Sequence, residues 1–136
     1  MMVSDVAPSL LVRRFYDEVW NRRDEVVATK ILSPTFKFRA SLGPESFGIE
    51  AFLGYGRSIH SALSDYRCTI EDLVENGRRA VARMRFEGRH RGVFLGVQPT
   101  ERDICWAGAA FFTTDGQRIA ELWVLGDVDA VKRQLS

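Results

Sequence analysis

The sequence predicts an α+β domain in which helices come first and hairpin-linked strands follow. Helical patterns, interrupted by one strand, occupy residues 8 to 63, and Asn76-Gly77 and Asp115-Gly116 mark tight turns between later alternating segments. A strongly curved, mostly antiparallel sheet folded around one amphipathic helix makes a cone-shaped barrel. We therefore expect a single domain over residues 1–136, with a pocket at the mouth of the cone.

Three helices are predicted in the first half of the chain. Residues 8–22 begin at Pro8, which suits a first helical turn, and they carry one wide apolar face. Asp24 can cap a second helix over residues 25–32, and a third helix runs from about 48 to 63. The apolar face of the first helix consists of Leu11, Val12, Phe15, Tyr16, Val19 and Trp20.

Five strands and a short C-terminal helix complete the prediction. Residues 35–41 alternate, with Phe36 and Phe38 on one face and Lys37 and Arg39 on the other. The last helix runs from about residue 127 to 135. The four later strands are predicted over 66–75, 79–91, 103–113 and 117–126.

Composition and charge argue against several functional classes. The 136 residues carry 19 basic and 18 acidic side chains, a net charge of +1, so we expect no nucleic-acid partner. No apolar run approaches the ~20 residues of a membrane helix. No signal peptide is recognised, so we expect a soluble cytoplasmic protein with no membrane partner. Four alternating arginines predict a charged outer sheet face or a dimer interface, with a nucleic-acid stripe as the weaker alternative; they are Arg83, Arg85, Arg89 and Arg91.

No cofactor or metal site is indicated by the sequence. Cys68 and Cys105 make no CxxC pair, and reduced thiols are their simplest interpretation. The two histidines lie far apart, and the chain has no HExxH motif, phosphate loop, dinucleotide fingerprint or serine elbow. Any chemistry is therefore expected to depend on acid/base groups in a shaped cavity.

Two stretches resemble motifs of the SnoaL-like polyketide cyclase and ester cyclase family. The segment GRHRGVFLGVQPTER, residues 88–102, matches the pattern G-x-H-x-G-x-F-L-G-x-x-P-T. The resemblance implies the cone-shaped barrel of nuclear transport factor 2-like and ketosteroid-isomerase-like proteins, in which dimers through the sheet are common. Many relatives have a histidine directly before the tryptophan of the closing strand, where this chain has Leu122. The closing strand shares Asp115, Gly116, Ile119, Glu121, Trp123 and Asp127 with the family pattern.

Asp127 is the first catalytic candidate. Strand alternation places it on one face with Glu121, Trp123 and Leu125, and an inward orientation of that face would surround the carboxyl with apolar groups. An acid so placed can exchange protons with a carbon acid or a carbonyl oxygen. The resemblance implies a general acid/base role at this position. The alternative is a helix N-cap, because Asp127 opens the last helix.

Three further polar residues are candidates. His90 alternates with Phe86 on the apolar face of its strand and is expected either to assist Asp127 or to be a satisfied core residue. His60 lies beside the apolar stripe of the third helix, where it would bind ligand or pack. Arg39 would bind a ligand carboxylate or enolate, or else remain a solvated surface arginine.

Aromatic side chains are the candidates for the wall of the cone. A planar ligand can stack on them, although the same residue types also build ordinary cores. The candidates are Trp123 and Trp106, Phe86, and Tyr55 with Tyr16 and Trp20 from the helices.

We therefore expect a cofactor-free enzyme of the SnoaL-like type. Its ligand would be small and apolar with a carbonyl or an ester, and the reaction would be an intramolecular aldol closure promoted by holding the substrate folded. Two alternatives remain open. One is a non-catalytic module that binds a small molecule. The other is an isomerase or dehydratase on the same fold, which would need Glu121, Arg39 or Tyr55 in the pocket.

Overall fold

The computed structural model confirms the predicted α+β fold over the residues that it describes, 4–41 and 44–136. Bounds agree with the prediction to within a few residues, except that the short strand β2 was not predicted. No helix in the described ranges is long and apolar enough to cross a membrane. The elements are α1 (Pro8–Arg14) with a π-helical continuation (Phe15–Asn21), α2 (Glu25–Ile31), β1 (Leu32–Arg39), β2 (Ser46–Phe47), α3 (Ile49–Ala62), β3 (Leu63–Asn76), β4 (Arg79–His90), β5 (Asp103–Thr114), β6 (Ile119–Gly126) and α4 (Val128–Leu135).

The six strands form one mixed sheet in the order β2-β1-β6-β5-β4-β3. Neighbouring strands are antiparallel except β1 and β6, which run parallel. The edge strand β3 shifts register between Ser64 and Arg67 and again between Ile70 and Asp72. Such irregularities bend a strand and increase its twist. The long strands therefore curve over the helices and leave the sheet open at its edges.

The first helix and its π-helical continuation fill the concave side of the sheet. The rings of Phe15 and Tyr16 meet Phe112 of β5 edge-on, with centroids 5.7 and 5.9 Å apart. Phe15 also contacts Phe52 of α3 at 5.4 Å. Because a fully buried large apolar side chain contributes about 1.5–3 kcal/mol, this aromatic cluster is a main source of the stability of the domain.

A bulge in β6 reverses the alternation that the sequence suggests. Thr114 of β5 pairs with Ile119, whereas the preceding Thr113 pairs with Glu121. One extra residue, Ala120, therefore lies between two successive pairs. Because the side chains of a strand alternate with a period of two, a single inserted residue exchanges the two faces for the rest of the strand.

The predicted inward face of β6 is wrong for this reason. Leu122 is only 2% exposed and faces the concave side together with Val124. Trp123 lies on the outer face with 40% of its surface exposed, next to Phe111 of β5 at a ring-centroid distance of 5.6 Å. Leu125 is also exposed. Strands β1 and β4, in contrast, present the faces that were predicted.

The alternating arginines of β4 and its extension lie on the outer face, as predicted, and each has a carboxylate within 4 Å. Such exposed pairs contribute little to stability. They do neutralise the row, which weakens the interpretation as a nucleic-acid stripe. The pairs are Arg83 with Glu71, Arg85 with Glu87, Arg89 with Asp103 and Arg91 with Glu101.

Gly92 anchors the loop after β4 against the end of α3. Its backbone N–H donates to the Ala62 carbonyl at 3.0 Å. A Cβ on Gly92 would lie 2.5 Å from the Ser61 carbonyl oxygen and 3.0 Å from the Ala62 Cα, both of which are backbone atoms. The close approach of these two backbones therefore requires glycine.

We predict that Gly92→Ala lowers the free energy of unfolding by about 1–3 kcal/mol, as overpacking against fixed atoms does. The control is Gly54→Ala in α3, where a Cβ meets no atom within 4 Å. Replacing that glycine by alanine should raise the stability of the helix by roughly 0.5–1 kcal/mol. Urea denaturation of both variants measures the difference, and equal stabilities would contradict the proposed close approach.

Candidate ligand-binding site

An aromatic cavity of about 50 Å³ lies inside the cone, between the helices and the concave sheet face. Every long element near the mouth contributes to it: the π-helical segment, α3, and strands β1, β3, β4, β5 and β6. We call it the phenol pocket, after its three tyrosines. It is lined by Tyr16, Trp20, Phe38, Ala40, Ser41, Tyr55, Tyr66, Phe86, Trp106, Leu122 and Val124.

The aromatic rings of the phenol pocket are packed on one another. Tyr55 from α3 lies 5.2 Å from Phe38 of β1. On the opposite side Tyr66 stacks on Phe86 with nearly parallel rings at 6.5 Å, and Phe86 lies 5.6 Å from Trp106. These ring contacts preform the part of the wall that Phe38, Tyr55, Tyr66, Phe86 and Trp106 build.

The phenol groups are the main polar groups of the pocket. Burial raises the pKa of Tyr55 to about 12, and it raises the pKa values of Tyr16 and Tyr66 well above the usual value. The buried Cys68 thiol is hydrogen-bonded to Tyr66, and burial raises its pKa as well. All four groups therefore stay protonated at neutral pH. They can donate hydrogen bonds but cannot act as bases.

The described residues that line the pocket include no carboxylate and no imidazole. The inward positions of β6 beside the phenols are Leu122 and Val124, which are both apolar. Leu122 occupies the position where many relatives have histidine, so the departure seen in the sequence falls directly on the pocket wall. Within residues 4–41 and 44–136, no three His, Cys, Asp or Glu side chains are grouped to hold a metal ion.

Asp127 does not lie among apolar groups. Its side chain is exposed, and its carboxylate accepts a hydrogen bond of 3.0 Å from the backbone N–H of Ala130. It therefore caps α4, as the structural alternative predicted. The expected apolar surroundings are wrong, because the bulge at Ala120 turns the neighbouring Trp123 outward.

His90 is fully buried but lies outside the phenol pocket. Its Nδ1 accepts a hydrogen bond of 3.1 Å from the backbone N–H of Thr100 and lies 3.0 Å from the Thr100 hydroxyl. This arrangement assigns the proton of a neutral imidazole to Nε2, which has no partner among the described residues. His90 thus ties the loop 91–102 to β4, and an assisting role in catalysis stays a prediction.

The family-like stretch 88–102 builds this loop. Gly92 allows the close approach to α3, and Leu95 and Gly96 both take positive φ values, 50° and 76°. Two backbone hydrogen bonds between Phe94 and Val97, of 2.9 and 3.1 Å, close a tight turn around them. A two-residue turn with positive φ at both positions favours glycine.

Arg39 and Glu121 lie on the outer face. The Arg39 guanidinium stacks on Trp123 at 4.4 Å and donates to the Val124 carbonyl at 3.1 Å, so it holds β1 to β6. Glu121 is exposed beside them. Neither reaches the phenol pocket, which removes two of the three groups that an isomerase or dehydratase was expected to use.

His60 lies in a groove next to the phenol pocket. Its ring is 5.8 Å from Trp20 and 5.7 Å from Tyr66. Partial burial, with a smaller contribution from the Arg23 charge, lowers its pKa, and a hydrogen bond to the Trp20 carbonyl opposes the shift. His60 is therefore neutral at pH 7.

The structure thus brings together Tyr55, Phe86 and Trp106 of the predicted ligand-binding residues, and it separates Trp123, Arg39 and His60 from them. Tyr66 was missed by the sequence analysis. Its alternation with the buried Cys68 on β3 is the signal that pointed to an inward position.

An α+β cone with an internal aromatic pocket is the architecture of the nuclear transport factor 2-like proteins. Within that class, the chain belongs to the SnoaL-like polyketide cyclase family, whose profile matches residues 10–135. No curated protein matches the chain.

Solved structures share the fold of this chain. A protein assigned to the SnoaL-like polyketide cyclases from Jannaschia sp. CCS1 has 21% identity and a TM-score of 0.89, and the match covers 100% of this chain and 96% of that one. TsrD from Streptomyces laurentii has 29% identity and a TM-score of 0.82, with coverages of 94% and 93%. IdmH from Streptomyces antibioticus, assigned as a polyketide cyclase, has 23% identity and a TM-score of 0.83, with coverages of 94% and 97%.

We predict that Asp127→Ala lowers the free energy of unfolding by about 1 kcal/mol, because the cap of α4 is lost. Asp127→Asn should retain the cap and stay within roughly 0.5 kcal/mol of the parent. Denaturation measures both values. Equal stability of the alanine variant and the parent would show that the cap contributes nothing.

Proposed function

We propose that the chain is a SnoaL-like cyclase that binds a small apolar ligand with a carbonyl or ester group in the phenol pocket, and acts on it without a cofactor. The supporting observation is a family-typical cone whose interior offers three protonated phenols and otherwise mainly apolar walls. Membership of the family supports cyclase activity at the level of the class.

The phenols suit the charge that develops in ring closure. An intramolecular aldol reaction forms a carbon–carbon bond from an enolate to a carbonyl carbon, and negative charge passes to the carbonyl oxygen. Donors fixed at that oxygen in a site of low dielectric lower the barrier, and loss of one such donor typically costs 10²–10³ in kcat. Tyr16 and Tyr55 are the proposed donors. Both side chains line the pocket.

Proton removal is the step for which the described pocket supplies no group. A C–H between two carbonyls is acidic enough to pass its proton to solvent water or hydroxide, and the alkoxide formed by ring closure takes a proton back from solvent, so that no protein group is consumed. The contribution of the protein then consists of holding the chain folded with the reacting carbons in contact, which is a large effect in itself, and of stabilising the oxyanion.

A non-catalytic binding module is the second candidate. The observation that favours it is the pair Leu122 and Val124, which leaves the inward face of β6 without a proton donor or acceptor in its side chains. Such a module would bind the same class of ligand through the same phenols but would not change it.

We predict that Tyr55→Phe lowers kcat on a panel of polyketide-like β-ketoesters by about 10²-fold, because an oxyanion donor is lost. Affinity should fall only several-fold, since a hydrogen bond to a neutral carbonyl contributes about 1 kcal/mol. Steady-state kinetics and calorimetric titration separate the two effects. Thermal unfolding of the variant checks that the fold is intact.

Assays on the parent protein distinguish the cyclase from the binding module. A cyclase should release a cyclised product and exchange the α-carbon hydrogen of the ester for deuterium faster than buffer alone. Thermal stabilisation by the esters with neither exchange nor product would reject the cyclase in favour of the binding module.

We also propose that a second copy of the chain covers the outer face of β5 and β6. Phe111, Trp123 and Leu125 expose 44%, 40% and 52% of their surface there and form one apolar patch. Exposed apolar patches mark interaction sites, and basic and acidic residues around this one, among them Arg39 and Glu121, can pair across a two-fold axis.

We predict that Trp123→Glu converts a dimeric parent to a monomer, because it places a charge in the centre of the buried face. Val26→Glu is the matched control: Val26 is 64% exposed on α2, a helix that packs against the π-helical segment, α3 and β1. Light scattering coupled to gel filtration reports the mass. A monomeric parent, or a variant that stays dimeric, would contradict the proposed interface.

A further inference from the structure

The phenol pocket is much smaller than the ligands that such a site must hold. Its volume is about 50 Å³, whereas small-molecule sites typically measure about 300–1,000 Å³. A ligand with even one aromatic ring therefore needs space beyond the pocket as it stands. Part of the ligand must therefore lie outside the phenol pocket, in whichever direction the additional space is found.

A groove of about 290 Å³ lies on the other side of one side chain. Trp20 lines both the groove and the phenol pocket, and it is the only residue shared by the two linings over the described part of the chain. The floor of the groove is apolar, with Phe52 and Leu53 of α3 beside Trp20. If the indole moves aside, pocket and groove become one space of the size that small-molecule sites have.

The setting of Trp20 permits such a movement. It lies on the π-helical segment, and single π-helical turns are frequent at functional sites. Trp20 is only 6% exposed, and its ring meets Phe52 and Tyr66 edge-on rather than in a stack, at centroid distances of 5.6 and 5.4 Å. On the α3 side the indole faces Gly56. Even a Cβ added to Gly56 would lie 3.9 Å from the indole, so this side is not tightly packed.

The rim of the groove carries excess positive charge. Arg57 and Glu25 form a bidentate ion pair, in which the Arg57 Nε lies 2.9 Å from the Glu25 carboxylate. Their charges therefore neutralise each other. Arg23 has no acidic partner within 4 Å among the described residues. It is held at a positive φ of 56°, where the backbone of a non-glycine residue is strained. His60 adds a neutral imidazole at the same rim.

We infer that the groove is the outer half of the ligand site and that it binds an anionic end group, so that the ligand is an apolar carbonyl compound carrying a free carboxylate. The apolar body passes Trp20 into the phenol pocket, and the carboxylate stays at the rim on Arg23. The inference rests on the proposed function, because it takes the phenol pocket as the place of the carbonyl. It narrows the ligand class from carbonyl compounds and esters in general to those that also carry a free carboxylate.

Calorimetric titration tests the inference with 6-acetyl-2-naphthoate, whose ketone can enter the phenol pocket while its carboxylate stays at the rim, and with the neutral, isosteric 6-acetyl-2-naphthamide. We expect the parent to bind the acid about tenfold more tightly, as an added charged contact of ordinary strength gives. Arg23→Gln should remove this preference and leave the amide affinity unchanged. Arg22→Gln is the matched control, because it deletes the same charge at the preceding exposed position and should keep the preference.

Two variants of Gly56 test the path past Trp20. Gly56→Leu places a branched side chain against the indole and should weaken binding of both probes at least tenfold, whereas Gly56→Ala should bind both like the parent. Thermal unfolding confirms that each variant is folded.

The outcomes separate the two proposals. Equal affinities of acid and amide in the parent, or an acid preference that survives Arg23→Gln, overturn the inference about the groove. Amide binding that is unaffected by Tyr55→Phe, together with an acid preference that depends on Arg23, keeps the groove but rejects the phenol pocket as the place of the carbonyl. If neither probe binds, both proposals are wrong.

Discussion

The structure depends on the contact between the first helical stretch and the concave face of the sheet. Phe15 and Tyr16 meet Phe112 edge-on, and Phe15 also meets Phe52, so one aromatic cluster joins the π-helical segment, α3 and β5. This cluster fills part of the concave side of the sheet, and an unfilled space is left beside it. The phenol pocket is that space, and Tyr16 belongs to both, because its ring packs on Phe112 and the residue also lines the cavity.

Most helices and strands could be predicted from residue patterns in the sequence. The residues that form the site could be predicted less well. Helix bounds were predictable because Pro8 and Asp24 mark helix starts, and strand faces were predictable wherever alternation is unbroken, as for Phe36 and Phe38. The face of β6 was not, because the bulge at Ala120 has no sequence signal: neither glycine nor proline stands there. One inserted residue moved Trp123 from the pocket to the surface and removed the apolar surroundings expected for Asp127.

The residues that reveal the family are mostly structural. His90 ties Thr100 to β4, Gly92 admits the backbone of α3, and Leu95 with Gly96 forms the turn between them. A loop that depends on so many specific contacts is expected to tolerate few substitutions. This explains how one chain can retain a nearly complete motif and still have Leu122 on the pocket wall, where many relatives have histidine. Such a motif identifies the fold reliably and the chemistry much less so.

The separation of polar groups inside and outside the cone constrains what the protein can do. Inside the cone, burial keeps the phenols protonated, so they can donate hydrogen bonds to a ligand oxygen. A ligand carboxylate would lose its hydration there, and the described residues of the pocket include no cation to offset that cost. Outside Trp20, the rim carries the excess positive charge of Arg23 in contact with water, where an anion keeps part of its hydration. A ligand with a carbonyl at one end and an acid at the other would satisfy both environments in only one orientation. Orientation of the substrate would then be set by solvation before any chemistry begins, and a site of this kind needs no charged residue in its interior to bind selectively.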